Sequence, residues 1–390
     1  MIYRPLGRTG FSVSQLGFGA MRLPMKGQGK DAIVDRELST AMIRRALEAG
    51  VNYVDSAVGY CNHDSQRAVG DALKGWRDRV IVSTKNPYYD EDETVWWKNL
   101  EDSLQRLQVE RIDIYNHHGL SWQAYVEKVE PRVGKWMRKA KDQGLIRHIC
   151  CSSHDTCPNV IRIIDSGYVD VITVQYNLLD RKLEEAIAHA HQKAVGVAIM
   201  GPVGGGRLGG DSEVLQEFLP GVRRVPELAL RFVLSNPHVS VALSGMSTMR
   251  HVEENLRVAA DGAPLSEADR AAIAEHLQRL ARMAELYCTG CNYCVPCPNE
   301  VAIPKIFQRY NLGKVYGLWA EARRQYAALG THKWDPGRRA DACTECGACE
   351  EKCPQKIPIR KQLKEAHAAL ADVAPSPAGA SAPAKERRST

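Results

Sequence analysis

Four side chains close three short apolar stretches, and their types suit proton transfer to or from an oxygen. Val51-Asn52-Tyr53-Val54 runs into Asp55 and, five residues on, Tyr60. Val80-Ile81-Val82-Ser83-Thr84 ends on Lys85, and Ile112-Asp113-Ile114-Tyr115 leads to His118. Moving hydride onto a carbonyl carbon leaves negative charge on its oxygen, which needs a nearby proton donor. A phenol, with a pKa of about 10, is a reluctant donor and acceptor at neutral pH. A close ammonium favours the phenolate, and a carboxylate holds that ammonium in place. Tyr60 is thus the candidate acid, Lys85 its tuner, Asp55 the lysine's partner and His118 a donor that orients a carbonyl. His117 is the alternative donor. Taken singly, each of the four is an ordinary polar residue at a strand end; only the ordered set points to chemistry.

The second constellation is made of thiols. Eight of the twelve cysteines fall after residue 287, as Cys288-x2-Cys291-x2-Cys294-x2-Cys297-Pro298 and Cys343-x2-Cys346-x2-Cys349-x3-Cys353-Pro354. The second array has the bacterial ferredoxin spacing, in which three cysteines hold one cubane and the fourth reaches the other. By that rule Cys288, Cys291, Cys294 and Cys353 bind one [4Fe-4S] cluster, and Cys343, Cys346, Cys349 and Cys297 the other. Cys297 comes one residue earlier than the usual pattern. Soft thiolates at such spacings also suit zinc, but zinc sites use two pairs, and a run of four followed by Pro favours iron–sulfur. Cys150, Cys151 and Cys157 read as core thiols, and Cys61, beside Tyr60, as a pocket residue without assigned chemistry.

Something must bring the strand ends together. Short apolar strands alternate with longer amphipathic runs from Gln15 onward. The strands are Gln15–Gly19, Asn52–Asp55, Val80–Thr84, Ile112–Asn116, Arg147–Cys151, Val171–Gln175, Val197–Met200 and Val239–Leu243. The helices that follow them run over Arg36–Glu48, Ser65–Leu73, Val95–Leu107, Arg132–Gln143, Pro158–Ser166, Leu183–Gln192, Pro226–Leu234 and Met249–Ala259. Eight such pairs in roughly 260 residues suit an α/β fold of the closed (β/α)8 TIM barrel kind, which gathers the strand ends at one mouth. Tyr3 to Leu16 reads as a preceding β-hairpin turning at Gly7-Arg8-Thr9-Gly10.

The expected organisation is a barrel over 1–262, a linking helix over 263–287 capped by Ser266-Glu267-Ala268-Asp269, and a small helical ferredoxin-like domain over 288–370. Helices Ile303–Tyr310 and Gly317–Leu329 separate the two arrays. The Ala-, Pro- and Ser-rich 371–390 reads as a disordered tail.

Composition narrows the class. Apolar residues make up 44% of the chain and charged ones 25%, as in an ordinary soluble globule. The net charge of +6, with no dense Lys/Arg run before the tail, argues against nucleic-acid or membrane partners. No apolar signal core opens the chain and no apolar run nears about 18 residues. Nearly 290 residues so poor in Cys exclude a secreted disulfide framework. The expected location is the cytoplasm.

With Leu6-Gly7-Arg8-Thr9-Gly10, Gly17-Phe18-Gly19, Asp55-Ser56-Ala57 with Tyr60, Ser83-Thr84-Lys85, His118-Gly119-Leu120, Gln175-Tyr176-Asn177 and Glu254-Asn255 in this order, residues 1 to about 260 resemble the aldo-keto reductases. With its tail, the whole chain resembles the subgroup that carries a C-terminal ferredoxin-like dicluster domain. The resemblance implies a TIM barrel, NADPH or NADH bound without a Rossmann fold, and reduction of a small carbonyl compound or oxidation of an alcohol. It implies that Ser152, Ser153 and Gln175 hold the nicotinamide amide. The Gly-rich stretch from Gly201 through Gly204 and Gly205 to Gly210 offers N–H groups to a pyrophosphate. Gly245, Ser247, His251, Glu254 and Asn255 resemble the adenosine end. Met200 stands where many relatives stack an aromatic on the nicotinamide, and a thioether lacks that defined face. Gly245 and His251 stand where NADPH-selective members carry Lys and Arg, so the choice of cofactor is left open here. One chemical tension follows: nicotinamide moves hydride, a cubane passes single electrons, and no separate flavin domain joins them. The clusters then serve a one-electron redox partner or brace the C-terminal segment. The alternative is a ferredoxin-like electron carrier whose barrel docks or senses.

Overall fold

The computed structural model describes the chain except residues 28–30, 218–221, 223, 262–264, 286–287, 289–290, 333–334, 355 and 372–390. The expected disordered tail therefore lies, beyond Ala371, outside the described residues.

Eight parallel strands close into a barrel: β1 (Leu16–Gly19), β2 (Tyr53–Asp55), β3 (Ile81–Asn86), β4 (Ile112–His117), β5 (Ile146–Ser153), β6 (Val171–Gln175), β7 (Gly196–Met200) and β8 (Val241–Gly245). Their order is sequential, with β8 returning to β1. Every residue of β3 and β4 is buried, as a parallel sheet covered on both faces requires. The connecting helices start on side-chain caps where the sequence supplies them. Asp35 accepts from Leu38 N at 3.2 Å before Arg36–Glu48, and Asp92 accepts from Thr94 N at 2.8 Å before Glu93–Leu107.

The barrel interior is layered. Tyr53, Ile81, Ile114, Cys150, Val171, Ala198 and Val241 form an apolar floor with Leu6 and Val13 of the N-terminal hairpin. That hairpin pairs Tyr3–Pro5 with Ser12–Ser14. Gly7 (φ +53) packs so close to β7 that a Cβ there would stand 2.3 Å from Gly196 N. Arg4 ties the same hairpin down by donating to the carbonyls of Leu234, Asn236 and Val239 at 2.5, 3.0 and 2.8 Å.

Between Ser121 and β5 the structure departs from expectation. The helix expected at Arg132–Gln143 begins at Trp122 and is π-helical over Tyr125–Val133 before becoming α-helical over Gly134–Asp142. Pro131 lies inside it. The looser hydrogen-bond spacing of the π segment accommodates Pro131, which has no N–H to give, so the helix starts well before the expected Arg132.

The chain forms two compact units. One comprises Met1–Gly209 with Gly221–Arg270; the other comprises Gly210–Pro220 with the chain from Ala271 onward. The second contains helices Ile303–Lys314, Trp319–Ala327 and Ile359–Ala371, packed through buried Phe307, Tyr326 and Leu363. Helix Glu267–Glu285 runs where the linking helix was expected. Among the described residues no helix is long and apolar enough to cross a membrane.

Candidate functional site

β2 and β3 deliver the acid and the ammonium to each other at the C-terminal mouth. Lys85, 2% exposed, donates to Asp55 Oδ2 at 2.5 Å and to Ser56 O at 2.7 Å. Ser83 Oγ donates to the other carboxylate oxygen at 2.8 Å. The Lys85 ammonium stands 5.0 Å from the centre of the Tyr60 ring. His118 meets that ring edge-on, with centroids 6.0 Å apart. The structure thus brings Asp55, Tyr60, Lys85 and His118 together.

Tyr60 is aimed by an unusual turn. Cys61, Asn62 and His63 all have left-handed backbones (φ 51, 53 and 67). Cys61 Sγ lies 3.6 Å from Ala20 O and 3.5 Å from Met21 O, which fastens the turn to the loop after β1.

The electrostatics depart from the expectation of a lowered phenol. Burial raises the Tyr60 pKa, and the nearby Lys85 offsets only part of that. Tyr60 is therefore a protonated phenol at neutral pH. Burial by itself would lower Lys85, but Asp55 and Tyr60 together outweigh it, raise the Lys85 pKa and keep the ammonium protonated. Burial, and then the Lys85 charge, push His118 down to about 4, so its imidazole is neutral. His117 faces elsewhere: its Nε2 is 2.8 Å from Tyr168 OH, its ring stacks on Tyr89, and burial pushes it to about 3.

The residues expected to hold a nicotinamide cofactor divide into free and engaged groups. Gln175 ends β6 against Gly201, where an added Cβ would meet its amide oxygen at 3.2 Å. Met200 is half-buried at the end of β7. Ser152 and Ser153 are committed to backbone instead. Ser152 Oγ accepts from Gly119 N at 2.9 Å, and Ser153 Oγ donates to Leu120 O at 2.7 Å. In the glycine loop, Gly201, Gly204, Gly205 and Gly206 all have positive φ. The N–H groups of Gly204, Gly206, Leu208 and Gly209 bond within the loop. A cation that the sequence reading passed over lies there. Arg22, exposed, donates to Gly205 O at 3.2 Å and packs across Gly245. Among the residues expected at the adenosine end, Ser247 N reaches His251 Nδ1 at 3.4 Å, and Asn255 is tied inward to Ser244 Oγ at 2.9 Å. Glu254 is gripped by Arg224 and, at 2.8 Å, by Arg250.

In the second unit the thiols line two neighbouring cavities. Cys288, Cys291, Cys294 and Cys353 border one; Cys297, Cys343, Cys346 and Cys349, with Cys294, border the other. The walls also carry Ile303, Phe307, Ile357 and Leu363, an apolar setting around the sulfurs. Among the described residues, no three thiols, imidazoles or carboxylates close on one point as a single ion needs.

Comparison with known sequences adds the lineage. The profile of the Aldo/keto reductase family matches residues 15–220. The chain belongs to this family. A 4Fe-4S dicluster domain follows at 287–357, so the C-terminal unit of this aldo/keto reductase is an iron–sulfur module. The chain is 25% identical over 312 residues to the uncharacterized oxidoreductase YqkF of Bacillus subtilis, covering 71% of this chain and 96% of that protein. It is 27% identical over 329 residues to the NADH-specific methylglyoxal reductase of Escherichia coli, covering 71% and 99%. Among solved structures, the holo form of aldo-keto reductase AKR11C1 from Bacillus halodurans aligns with a TM-score of 0.59 at 30% identity, over 71% of this chain and 96% of that one.

Proposed function

We propose that the barrel reduces a small carbonyl compound, or oxidises the corresponding alcohol, with Tyr60 as the acid. The observation that carries this is the Lys85 ammonium, buried between Asp55 and Ser56 O and 5.0 Å from the Tyr60 ring. NADH or NADPH, when bound, supplies or accepts the hydride. The residues present fit such a cofactor. Gln175 offers its amide for the carboxamide and Met200 an apolar surface, and Gly201 carries no side chain that would press on the Gln175 amide. Arg22, on the glycine loop, would meet the charge of the diphosphate, Gly245, Ser247 and His251 would hold the adenosine, and Glu254 and Asn255 would brace that end. Ser152 and Ser153 spend their hydroxyls on backbone and shape the strand ends rather than hold the carboxamide. Neutral His118 gives an N–H to the carbonyl oxygen, and Tyr60 gives the proton as charge builds there.

The thiol cavities support two [4Fe-4S] clusters, one on Cys288, Cys291, Cys294 and Cys353 and one on Cys343, Cys346, Cys349 and Cys297. They exchange single electrons with a redox partner, separately from hydride transfer. Twelve cysteines without a disulfide suit the reducing cytoplasm.

The test is oxidation of NADH and of NADPH against a carbonyl panel beginning with methylglyoxal, the compound in the name of the E. coli relative. Tyr60→Phe is expected to lower kcat at least about a hundredfold while cofactor fluorescence titration shows binding retained. Turnover at the wild-type rate in that variant removes Tyr60 as the acid.

A further inference from the structure

Above the apolar floor, the barrel interior is polar from β2 through β6, with Cys150 of the floor reaching into this layer from β5. Asp55, Ser83, Asn116, Thr173 and Cys150 are between 0% and 4% exposed. Ser83 Oγ is 2.8 Å from Asp55 Oδ1, and Asn116 Nδ2 is 3.1 Å from Ser83 Oγ. Asn116 Oδ1 is 3.3 Å from Thr173 Oγ1, which lies 3.6 Å from Cys150 Sγ. TIM-barrel interiors are ordinarily filled by branched aliphatic side chains. A polar file in that place costs stability unless every group is satisfied.

The direction of this file is fixed. Asn116 also faces Thr84 O at 3.0 Å. A carbonyl only accepts, so the amide nitrogen must lie on that side and the amide oxygen on the other. Thr173 therefore donates to Asn116 Oδ1. Ser83 Oγ accepts a hydrogen bond from Asn116 Nδ2, so its own single hydroxyl hydrogen is donated to Asp55. Cys150 keeps its thiol proton because burial raises its pKa well above the ordinary value, and that one proton has two acceptors in reach, Thr173 Oγ1 and Cys151 O, both at 3.6 Å. From Thr173 onward, each donor points towards Asp55.

We propose that Ser83 and Asn116 are positioning residues: they hold the Asp55 carboxylate in the orientation that fixes Lys85, and through Lys85 they set the acidity of Tyr60. The claim rests on the reading of Tyr60 as the acid, but the donor chain can be tested without turnover. Four titratable or charged groups face Tyr60: Lys85, Asp55, His118 and Cys61. Cys150 and Tyr53 face the Asp55–Lys85 pair from below. The Tyr53 hydroxyl lies next to Ser83 but makes no hydrogen bond of acceptable geometry. None of these groups replaces the Ser83 donor.

The experiment uses the full-length holoprotein labelled with ¹⁵Nζ-lysine, with the Lys85 signal assigned by its loss in Lys85→Met. Slow exchange of the Lys85 ammonium protons is expected in the wild type. Ser83→Ala and Asn116→Leu should speed it roughly two- to tenfold, the equivalent of one net hydrogen bond, and Ser83→Thr should restore it. Wild-type exchange in both Ser83→Ala and Asn116→Leu, in proteins with unchanged circular dichroism, overturns the proposal; so does fast exchange in the wild type. In the second arm, both variants should move the alkaline limb of alcohol oxidation to higher pH. A loosened ammonium and a less shielded carboxylate both favour the phenol over the phenolate. A lower kcat with an unmoved limb would mean the chain only packs the barrel. If no carbonyl is reduced by the wild type while the exchange pattern holds, the assignment of Tyr60 fails and the positioning chain stands.

Discussion

Tyr60 and His118 occupy one pocket with opposite protonation demands, and burial answers both. The phenol must carry its proton when a carbonyl is reduced, and its pKa is raised by desolvation. The imidazole must donate without charge, and it is pushed down to about 4. Reduction is therefore expected to lack the acid limb that an ordinary histidine, near 6.5, would impose. The rate should stay level from neutral pH down towards 5, falling only as pH nears the His118 value. The reverse reaction needs the phenolate, so alcohol oxidation should climb with rising pH instead. The kcat/KM profile of both directions, measured on one substrate pair, checks this; a limb near pH 6.5 that disappears in His118→Gln would show a histidine less buried than its surroundings imply.

At the scale of elements, the barrel depends on its N-terminal hairpin for closure. Gly7 combines a left-handed φ of +53 with a backbone approach that leaves no space for a methyl group, 2.3 Å from Gly196 N. Gly7→Ala should cost roughly 2–5 kcal/mol, adding backbone strain to overpacking. A lowered thermal midpoint for far-ultraviolet circular dichroism, with the iron–sulfur absorbance melting unchanged, is the expected result. Leu6-Gly7-Arg8-Thr9-Gly10 announced the turn, and short apolar runs rich in Val and Ile placed every barrel strand to within a few residues. What stayed hidden has a common cause. Ser83, Asn116 and Thr173 look like scattered polar residues within strands, because their hydrogen bonds run across strands far apart in sequence. The commitment of Ser152 and Ser153 to backbone is invisible for the same reason. Arg22 carries no motif of its own; only folding sets it on the glycine loop. The helix before β5 starts at Trp122 and not at the expected Arg132, because a π segment over Tyr125–Val133 accommodates Pro131 where an α turn would not.

Across the whole molecule, the least local feature is the crossing of cysteines between the two arrays. Cys353 follows Cys349 by four residues, yet it lines the cavity of Cys288, Cys291 and Cys294, more than fifty residues upstream. Nearness in the chain alone would pair Cys353 with its own array, but the ferredoxin spacing assigns it to the other. In the fold, Pro354, Ile357 and Ile359 line that other cavity with Phe307 and Ile303. Two clusters so ligated should give roughly eight iron and eight sulfide per chain in anaerobically purified, brown protein. Cys353→Ala and Cys288→Ala should then weaken the same cluster and leave the same residual electron paramagnetic resonance signal after reduction. Cys343→Ala should leave the other signal, while Cys346→Ala should share the Cys343→Ala spectrum. The decisive comparison is Cys353→Ala against Cys343→Ala: matching residual spectra would place Cys353 in its own array and undo the crossed assignment. Stoichiometric zinc in colourless protein would instead replace the clusters with structural metal, and the arrays would then have no part in electron transfer.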